Sequence, residues 1–231
     1  PHSTGDAIQI GNGTTNCKVH NNYIERWSHV GVYMYALTSS YPYHGNEIYD
    51  NFITSPVIDY GRAFGVDYHS GGYNNSIHDN TAVNMSVGNQ LNGNGLKFYN
   101  NIIDGIRAVS YMGNGVSNGI GSSSYAVPST NMEIYNNIVL NAHDYGISMN
   151  DYGYGNSGNN THDNNIINCS SYQLYVYNVA GVNNNTYTNN HIYAGENPII
   201  FYEGAARTIG EWNAYETDNG DIISGNDGIL K

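Results

Sequence analysis

The chain has 231 residues and carries 7 Lys plus Arg against 19 Asp plus Glu, a formal net charge of −12. That balance excludes the basic, counterion-releasing surface that nucleic-acid binding needs, and direct attraction to a polyanion without a cation between them. Charged residues are only 11% of the chain, yet Ile, Val, Leu, Tyr and Phe recur at regular places, which excludes a disordered low-complexity chain, and no run is long and apolar enough to span a bilayer.

In chain order, Asp6-Ala7-Ile8-Gln9-Ile10 reads as a first strand. A short phrase then takes over: polar–apolar–polar, Asn or Asp followed by Asn, then an apolar pair. It opens as Lys18-Val19-His20-Asn21-Asn22-Tyr23-Ile24 and returns over 47–53, 76–82, 97–103, 133–139, 161–167 and 186–192. The second Asn falls at 22, 51, 80, 101, 137, 165 and 190, giving steps of 29, 29, 21, 36, 28 and 25. The shortest step is one minimal coil of three short strands and three bends, and the longer steps are coils with insertions. Further strands follow each Asn pair, at Gly31–Met34, Gly146–Met149 and Leu174–Tyr177, with the period-2 alternation of a strand buried on one face. The LxxLxLxxN phrase of leucine-rich repeats is absent. The repeat predicts an all-β, right-handed parallel β-helix of about seven to eight coils over residues 1–207.

Stacking the phrase on itself predicts the core. Val19, Ile48, Ile77, Phe98 and Ile134 form one inward column. Ile24, Ile53, Ala82, Ile103, Val139, Ile167 and Ile192 form another, and the seven Asn residues stack between them as a hydrogen-bonded ladder. Two outward stripes result, one aromatic (His20, Tyr49, His78, Tyr99, Tyr135) and one apolar (Phe52, Ile102, Ile138, Ile166). An exposed apolar row is costly unless covered, either by a flanking segment or by self-association into an oligomer such as a trimer. Thr208 and Glu211 have capping-box spacing, so 208–231 is expected to hold a short capping helix and a polar tail. The uncapped first strand is expected to continue into a longer chain. Cys17 and Cys169 lie five coils apart, about 24 Å at about 4.8 Å per step. That is beyond the reach of a disulfide, so both read as free, buried thiols.

The coil phrase and the terminal Thr208-Ile209-Gly210-Glu211-Trp212 helix resemble the pectate-lyase-like right-handed β-helix superfamily over the whole chain. The Asn-, Tyr- and Gly-rich, charge-poor style also resembles the disaggregatase-related β-helix proteins of methanogenic archaea. The resemblance implies a secreted or cell-surface carbohydrate-active protein without fixing the reaction, because hydrolases, lyases, epimerases and inert adhesins share the fold.

Chemistry is expected on the loops and outward columns. The insertions at Tyr35–Gly45, Thr54–Arg62, Met112–Asn131 and Asn150–Asn159 carry many of the tyrosines, including Tyr43 and Tyr60, whose rings and hydroxyls suit sugars. The best cluster is Asp59, Arg62, Asp67 and His69. Aligning Val66 with Val32 and with Leu91 puts Asp67 beside Tyr33, His69 beside Tyr35, and Asn92 and Asn94 in the same columns. This places a carboxylate, an imidazole, a phenol and a guanidinium on one face, a set able to move protons. Phe64-Gly65-Val66-Asp67-Tyr68-His69 resembles the Tyr-Gly-Phe-Asp-Pro-His stretch of mannuronan C-5 epimerases. Asp67 and His69 match, Phe64 and Tyr68 depart from it, and the further Asp falls on Asn92 or Gly93. Asp67 and His69 are therefore the expected catalytic pair, with Arg62 and Asp59 in support and Tyr33, Tyr35, Asn92, Asn94, Tyr43 and Tyr60 as substrate-binding residues. Arg107 with Asp104 reads as a surface pair, as do Lys18 and Glu47. Asp151, Asp218, Asp221 and Asp227 are candidate Ca²⁺ ligands, but none has a complete ligand spacing. Two readings stay open: a polysaccharide hydrolase or lyase, and a non-catalytic carbohydrate-binding or structural surface module.

Overall fold

A computed structural model describes residues 5–35, 40–54, 61–66, 72–86, 88–107, 118–124, 128–151, 157–177, 182–193, 200–215 and 220–229. Three long sheets take the strands in rotation, except that Ile200–Tyr202 and Ala205–Arg207 follow one another in the first. The first, nine-stranded sheet runs Ile8–Gly11, Val30–Tyr35, Arg62–Val66, Asn89–Leu91, Ile120–Ser124, Ile147–Asp151, Leu174–Tyr177, Ile200–Tyr202 and Ala205–Arg207. The second runs Lys18–His20, Glu47–Tyr49, Ser76–His78, Lys97–Tyr99, Glu133–Tyr135, Thr161–Asp163, Thr186–Thr188 and Ile222–Ser224. The third runs Tyr23–Glu25, Phe52–Thr54, Thr81–Val83, Ile102–Ile106, Ile138–Ala142, Ile166–Cys169, His191–Tyr193 and Asp227–Ile229. Neighbours are parallel throughout, apart from the antiparallel pair Ile200–Tyr202 and Ala205–Arg207. Each strand therefore pairs with its equivalent one coil away, as in an all-β solenoid.

Both inward columns stand as the sequence predicts. Val19, Ile48, Ile77, Phe98 and Ile134 are in direct register, and the column continues through His162, Tyr187 and Ile223. Ile24 through Ile192 are likewise in register. Most of these side chains are completely buried.

The Asn-Asn bend divides its labour between two residues. The first takes a left-handed conformation, with φ of 51–56° at Asn21, Asp50, Asp79, Asn100, Asn136, Asn164 and Asn189. Asn and Asp tolerate this region better than other side chains because they bond locally. The second points inward and forms the ladder. At Asn101, Oδ1 accepts from the backbone N of Asn80 (3.1 Å) and from its Nδ2 (3.0 Å), while Nδ2 donates to Ile77 O (3.0 Å) and Asn137 Oδ1 (3.1 Å). One buried amide thus satisfies backbone groups that water cannot reach. A shorter ladder at the preceding bend joins Cys17 N, Asn46 and Asn75, and reappears at Met132 N, Asn160, Asn185 and Asp221. Leu96 and Met132 occupy its buried middle positions.

The C-terminal stretch departs from the expected cap and tail. Ile222–Ser224 and Asp227–Ile229 extend the second and third sheets, and Asn226 is an eighth rung. These strands were hidden in the sequence because their context is Asp- and Gly-rich and the polar–apolar–polar triplet is lost, an apolar Ile222 standing at an outward position, 59% exposed. The helix Ile209–Asn213 forms with the complete Thr208–Glu211 capping box, and Trp212 is buried against Tyr187 and Tyr202. Its last residue, Asn213, places Oδ1 where a ninth rung would be, accepting from Asn226 N (3.3 Å) and Nδ2 (2.9 Å). Both cysteines are free and only partly buried. Burial pushes the Cys169 thiol up to about 12, keeping it protonated.

Two predictions follow from this core. Asn101→Ala removes acceptor and donor from three buried partners and should cost about 3–5 kcal/mol in urea unfolding, whereas Asn213→Ala, at the ladder's end, should cost about 1–2 kcal/mol. His162 is 1% exposed, neither ring nitrogen has a hydrogen-bond partner, and burial lowers its pKa from 6.5 to about 4. The unfolded chain therefore binds the proton first, so stability falls as pH drops from about 6.5 toward 4. His162→Leu should abolish about 3 kcal/mol of that loss, read as the difference between the two proteins' stability–pH curves.

Candidate functional site: the outer face of the first sheet

The connection between second- and third-sheet strands is two residues in every coil, as at Asn21-Asn22 and Gly225-Asn226. Every longer connection between sheet strands has a first-sheet strand at one end. Insertions are thus confined to the borders of the first sheet, on both its sides. The stretch 112–131, expected to be a single insertion, contains the first-sheet strand Ile120–Ser124. Core positions of this sheet such as Val32, Phe64 and Ile147 alternate with a row on its other side, Gln9, Tyr33, Gly65, Gln90, Gly121, Ser148, Tyr175 and Phe201. Within that row Gly65 and Ser148 are themselves covered, and Ser148 Oγ accepts from Asn118 Nδ2 (2.8 Å).

Aromatic side chains gather at the two ends of this row. At one end Tyr33 and Tyr35 stack at 5.4 Å, and His29 meets the Tyr33 ring edge-on at 5.7 Å. Asp6 Oδ1 lies 2.8 Å from His29 Nδ1. Gly65 makes room here: a Cβ at that position would come within 2.9 Å of Tyr33 Cδ2. At the other end Tyr145, Tyr175 and Phe201 stack at 4.1 and 4.9 Å, with Tyr177 beside Tyr175 and Tyr172 tilted against Phe201. Tyr177 is 52% exposed. Burial, then the neighbouring Tyr175 and Asp144, raise the Tyr145 hydroxyl well above its ordinary range, so it stays a neutral donor. Asp144 Oδ1 is 2.8 Å from His143 Nδ1. Each aromatic group therefore has a carboxylate–imidazole pair beside it.

The expected site residues fare unequally. Asp59, Tyr60, Asp67 and His69 lie outside the described residues. The alignment that joined them to Tyr33 is two residues out: Val66 pairs with Met34, and Gly65, not Asp67, pairs with Tyr33. Period-2 alternation cannot detect such an error, because a shift of two keeps every side chain on its own face. Arg62 stands in the sheet opposite Val30, and its backbone N donates to His29 O (3.0 Å). Tyr35 is on the outer side next to Tyr33. Tyr43 is completely buried, packed where Gly72 leaves space, so it is a core residue and not a sugar platform. Asn92 is also completely buried. Asn94 is exposed, but it belongs to the bend after the sheet, in the line Thr15, His44, Tyr73, Asn94 and Thr130. Lys18–Glu47 is an ion pair at 3.1 Å. Arg107 donates to Ser86 Oγ, and Asp104 accepts from Asn141.

Sequence reading missed the Asp6–His29 contact and the Tyr145–Tyr175–Phe201 stack. Their members come from different coils, and the only signal was an excess of Tyr near first-sheet strands. Among the described residues no three His, Cys, Asp or Glu side chains converge as a metal site, and no helix is long and apolar enough to cross a membrane. No family model, curated protein or solved structure matches the chain.

Gly65→Ala should displace the Tyr33 ring while costing less than about 1.5 kcal/mol, because the contact is with the ring's side edge, Cδ2 at 2.9 Å and Cε2 at 3.2 Å, and a small rotation of the side chain relieves it. A changed near-ultraviolet circular dichroism spectrum with a nearly unchanged urea midpoint is the expected result.

Proposed function

We propose that this chain is a secreted or cell-surface, carbohydrate-active right-handed parallel β-helix of eight coils, closed at its C-terminal end by the Ile209–Asn213 helix. Its working face is the outer side of the first sheet, along which it binds an extended polysaccharide. The observation that carries this reading is the pair of aromatic groups, Tyr33 with Tyr35 and Tyr172, Tyr175, Tyr177 with Phe201, at opposite ends of one polar, small-residue row. Phenol rings bury sugar C–H surface and their hydroxyls bond sugar hydroxyls. Two separated aromatic subsites on a rigid sheet suit a linear polymer better than a monosaccharide.

A second reading, cleavage or modification of the bound chain by hydrolase or lyase chemistry, is favoured by the Asp6–His29 contact beside Tyr33. A carboxylate on Nδ1 orients an imidazole for proton transfer.

Both readings are tested on a panel of soluble envelope and matrix glycans, with and without Ca²⁺. Tyr172→Ala with Tyr177→Ala should weaken binding at least about tenfold, since losing two ring contacts of about 1 kcal/mol each exceeds one decade. Unchanged affinity would remove the first sheet as the binding face. New reducing ends that disappear in His29→Ala mark hydrolysis, and new ultraviolet absorbance marks elimination. Binding without either product identifies a non-catalytic module.

A further inference from the structure

The second sheet carries a surface of a different kind. All eight of its strands are three residues long, and every bend leading from it to the third sheet is two residues. Along its outer side the rings of His20, Tyr49, His78, Tyr99 and Tyr135 form one continuous stack. Successive centroids are 4.8, 5.3, 4.7 and 4.9 Å apart, and the planes are parallel within 5°.

In this stack the faces of the inner rings are covered by their neighbours, so the column offers edges to solvent. His20 Nδ1 is engaged by Asn21 (2.8 Å) and His78 Nδ1 by Asp79 (2.7 Å), which leaves Nε2 at the outer rim of each imidazole. The stack therefore presents a straight row of three phenol hydroxyls and two imidazole nitrogens, one per coil. The Tyr99 and Tyr135 hydroxyls are raised above their ordinary range, first by burial, and so remain protonated donors. Flanking rows keep the same step. On one side are the exposed bends Asn21, Asp50, Asp79, Asn100 and Asn136. On the other, Lys18–Glu47 and Lys97–Glu133 pair at 3.1 and 3.2 Å, nearly cancelling their charge.

We infer that this face is a second carbohydrate-binding surface, built to lie on an ordered, hydroxyl-rich polysaccharide of extended β-linked chains. A single soluble chain would use one row. Three parallel polar rows with one repeat match a solid array of chains whose sugars recur at nearly the rung spacing. The ion pairs nearly cancel, the Asp50 and Asp79 carboxylates of the flanking row accept from hydroxyls and repel an anionic ligand, and covered ring faces leave little apolar area for a lipid or a protein core. The binding energy comes from many individually weak hydrogen bonds held in register by the ladder, which removes the entropic cost of aligning them. The inference is independent of the first-sheet reading, since the two faces share no residue.

The test is co-sedimentation of the protein with insoluble cellulose and chitin. Tyr99→Phe with Tyr135→Phe keeps the ring stack and removes two hydroxyls. It should retain the thermal midpoint and lower the affinity for the solid about tenfold. Tyr172→Ala with Tyr177→Ala should leave sedimentation unchanged even where soluble-glycan binding is lost. Failure of the wild-type protein to sediment with either solid would overturn the proposal. So would a Phe double variant that sediments like wild type, or loss of sedimentation in the Tyr172/Tyr177 variant alone, which would assign the solid to the first sheet.

Discussion

A tight bend inside a solenoid buries backbone N–H and C=O groups where neither sheet nor water can reach them, and a buried group left unpaired costs on the order of 1–3 kcal/mol. The inward Asn ladder answers that constraint. Each amide accepts from the rung before it, and between its oxygen and its nitrogen it touches the coil on either side. The ladder has a direction, because every rung donates forward. Its last member therefore needs an acceptor, which Asn213 of the helix supplies to Asn226. Among the described residues the ladder is unbroken from Asn22 to Asn226.

That fixed bend partitions the surface. An insertion between second- and third-sheet strands would displace a rung, so variation in coil length falls on the borders of the first sheet. One side of the molecule is consequently regular, with rings at nearly constant spacing. The first sheet is irregular, with small residues such as Gly65 and Gly121 between aromatic groups. Regularity suits a repetitive ligand and irregularity suits discrete subsites, so one core device underlies both proposed faces. The core also carries an exception to its own rule. His162 stands where other coils place Val, Ile, Phe or Tyr, and it stacks on Tyr187 at 5.1 Å without a polar partner, which makes the interior acid-sensitive at one point.

Much of the fold was legible because the repeat encodes it twice, in the apolar columns and in the Asn pairs. The role of each Asn was less legible. Sequence spacing marks the pair as a bend, but only backbone geometry shows that Asn100 supplies the left-handed φ and Asn101 the hydrogen bonds. The strands Ile222–Ser224 and Asp227–Ile229 were not legible within 208–231, because Gly225 replaces the first Asn of the pair and the strands lack apolar alternation. In the candidate site, Tyr35 was expected to open an insertion and instead ends the strand Val30–Tyr35, on the same side as Tyr33. Tyr43, at the edge of an insertion, has no periodic phase to say whether it faces in or out, and Asn92 lies one residue past the end of its strand, where alternation no longer holds.

By itself the sequence determined what is local and repeated: the alternation that buries one face of each strand, the bend, the column of rings, and the capping box at Thr208. Each of these depends on spacing within one coil or on identical spacing in the next. The tertiary structure alone decided which coils' unlike residues meet. It set the register that pairs Gly65 with Tyr33, brought Asp6 to His29, folded Tyr145 onto Tyr175, and placed Asn213 at the end of the ladder. These contacts depend on register between segments of unequal length, and that register is fixed by the packing free energy of the whole stack rather than by any pattern within a single strand.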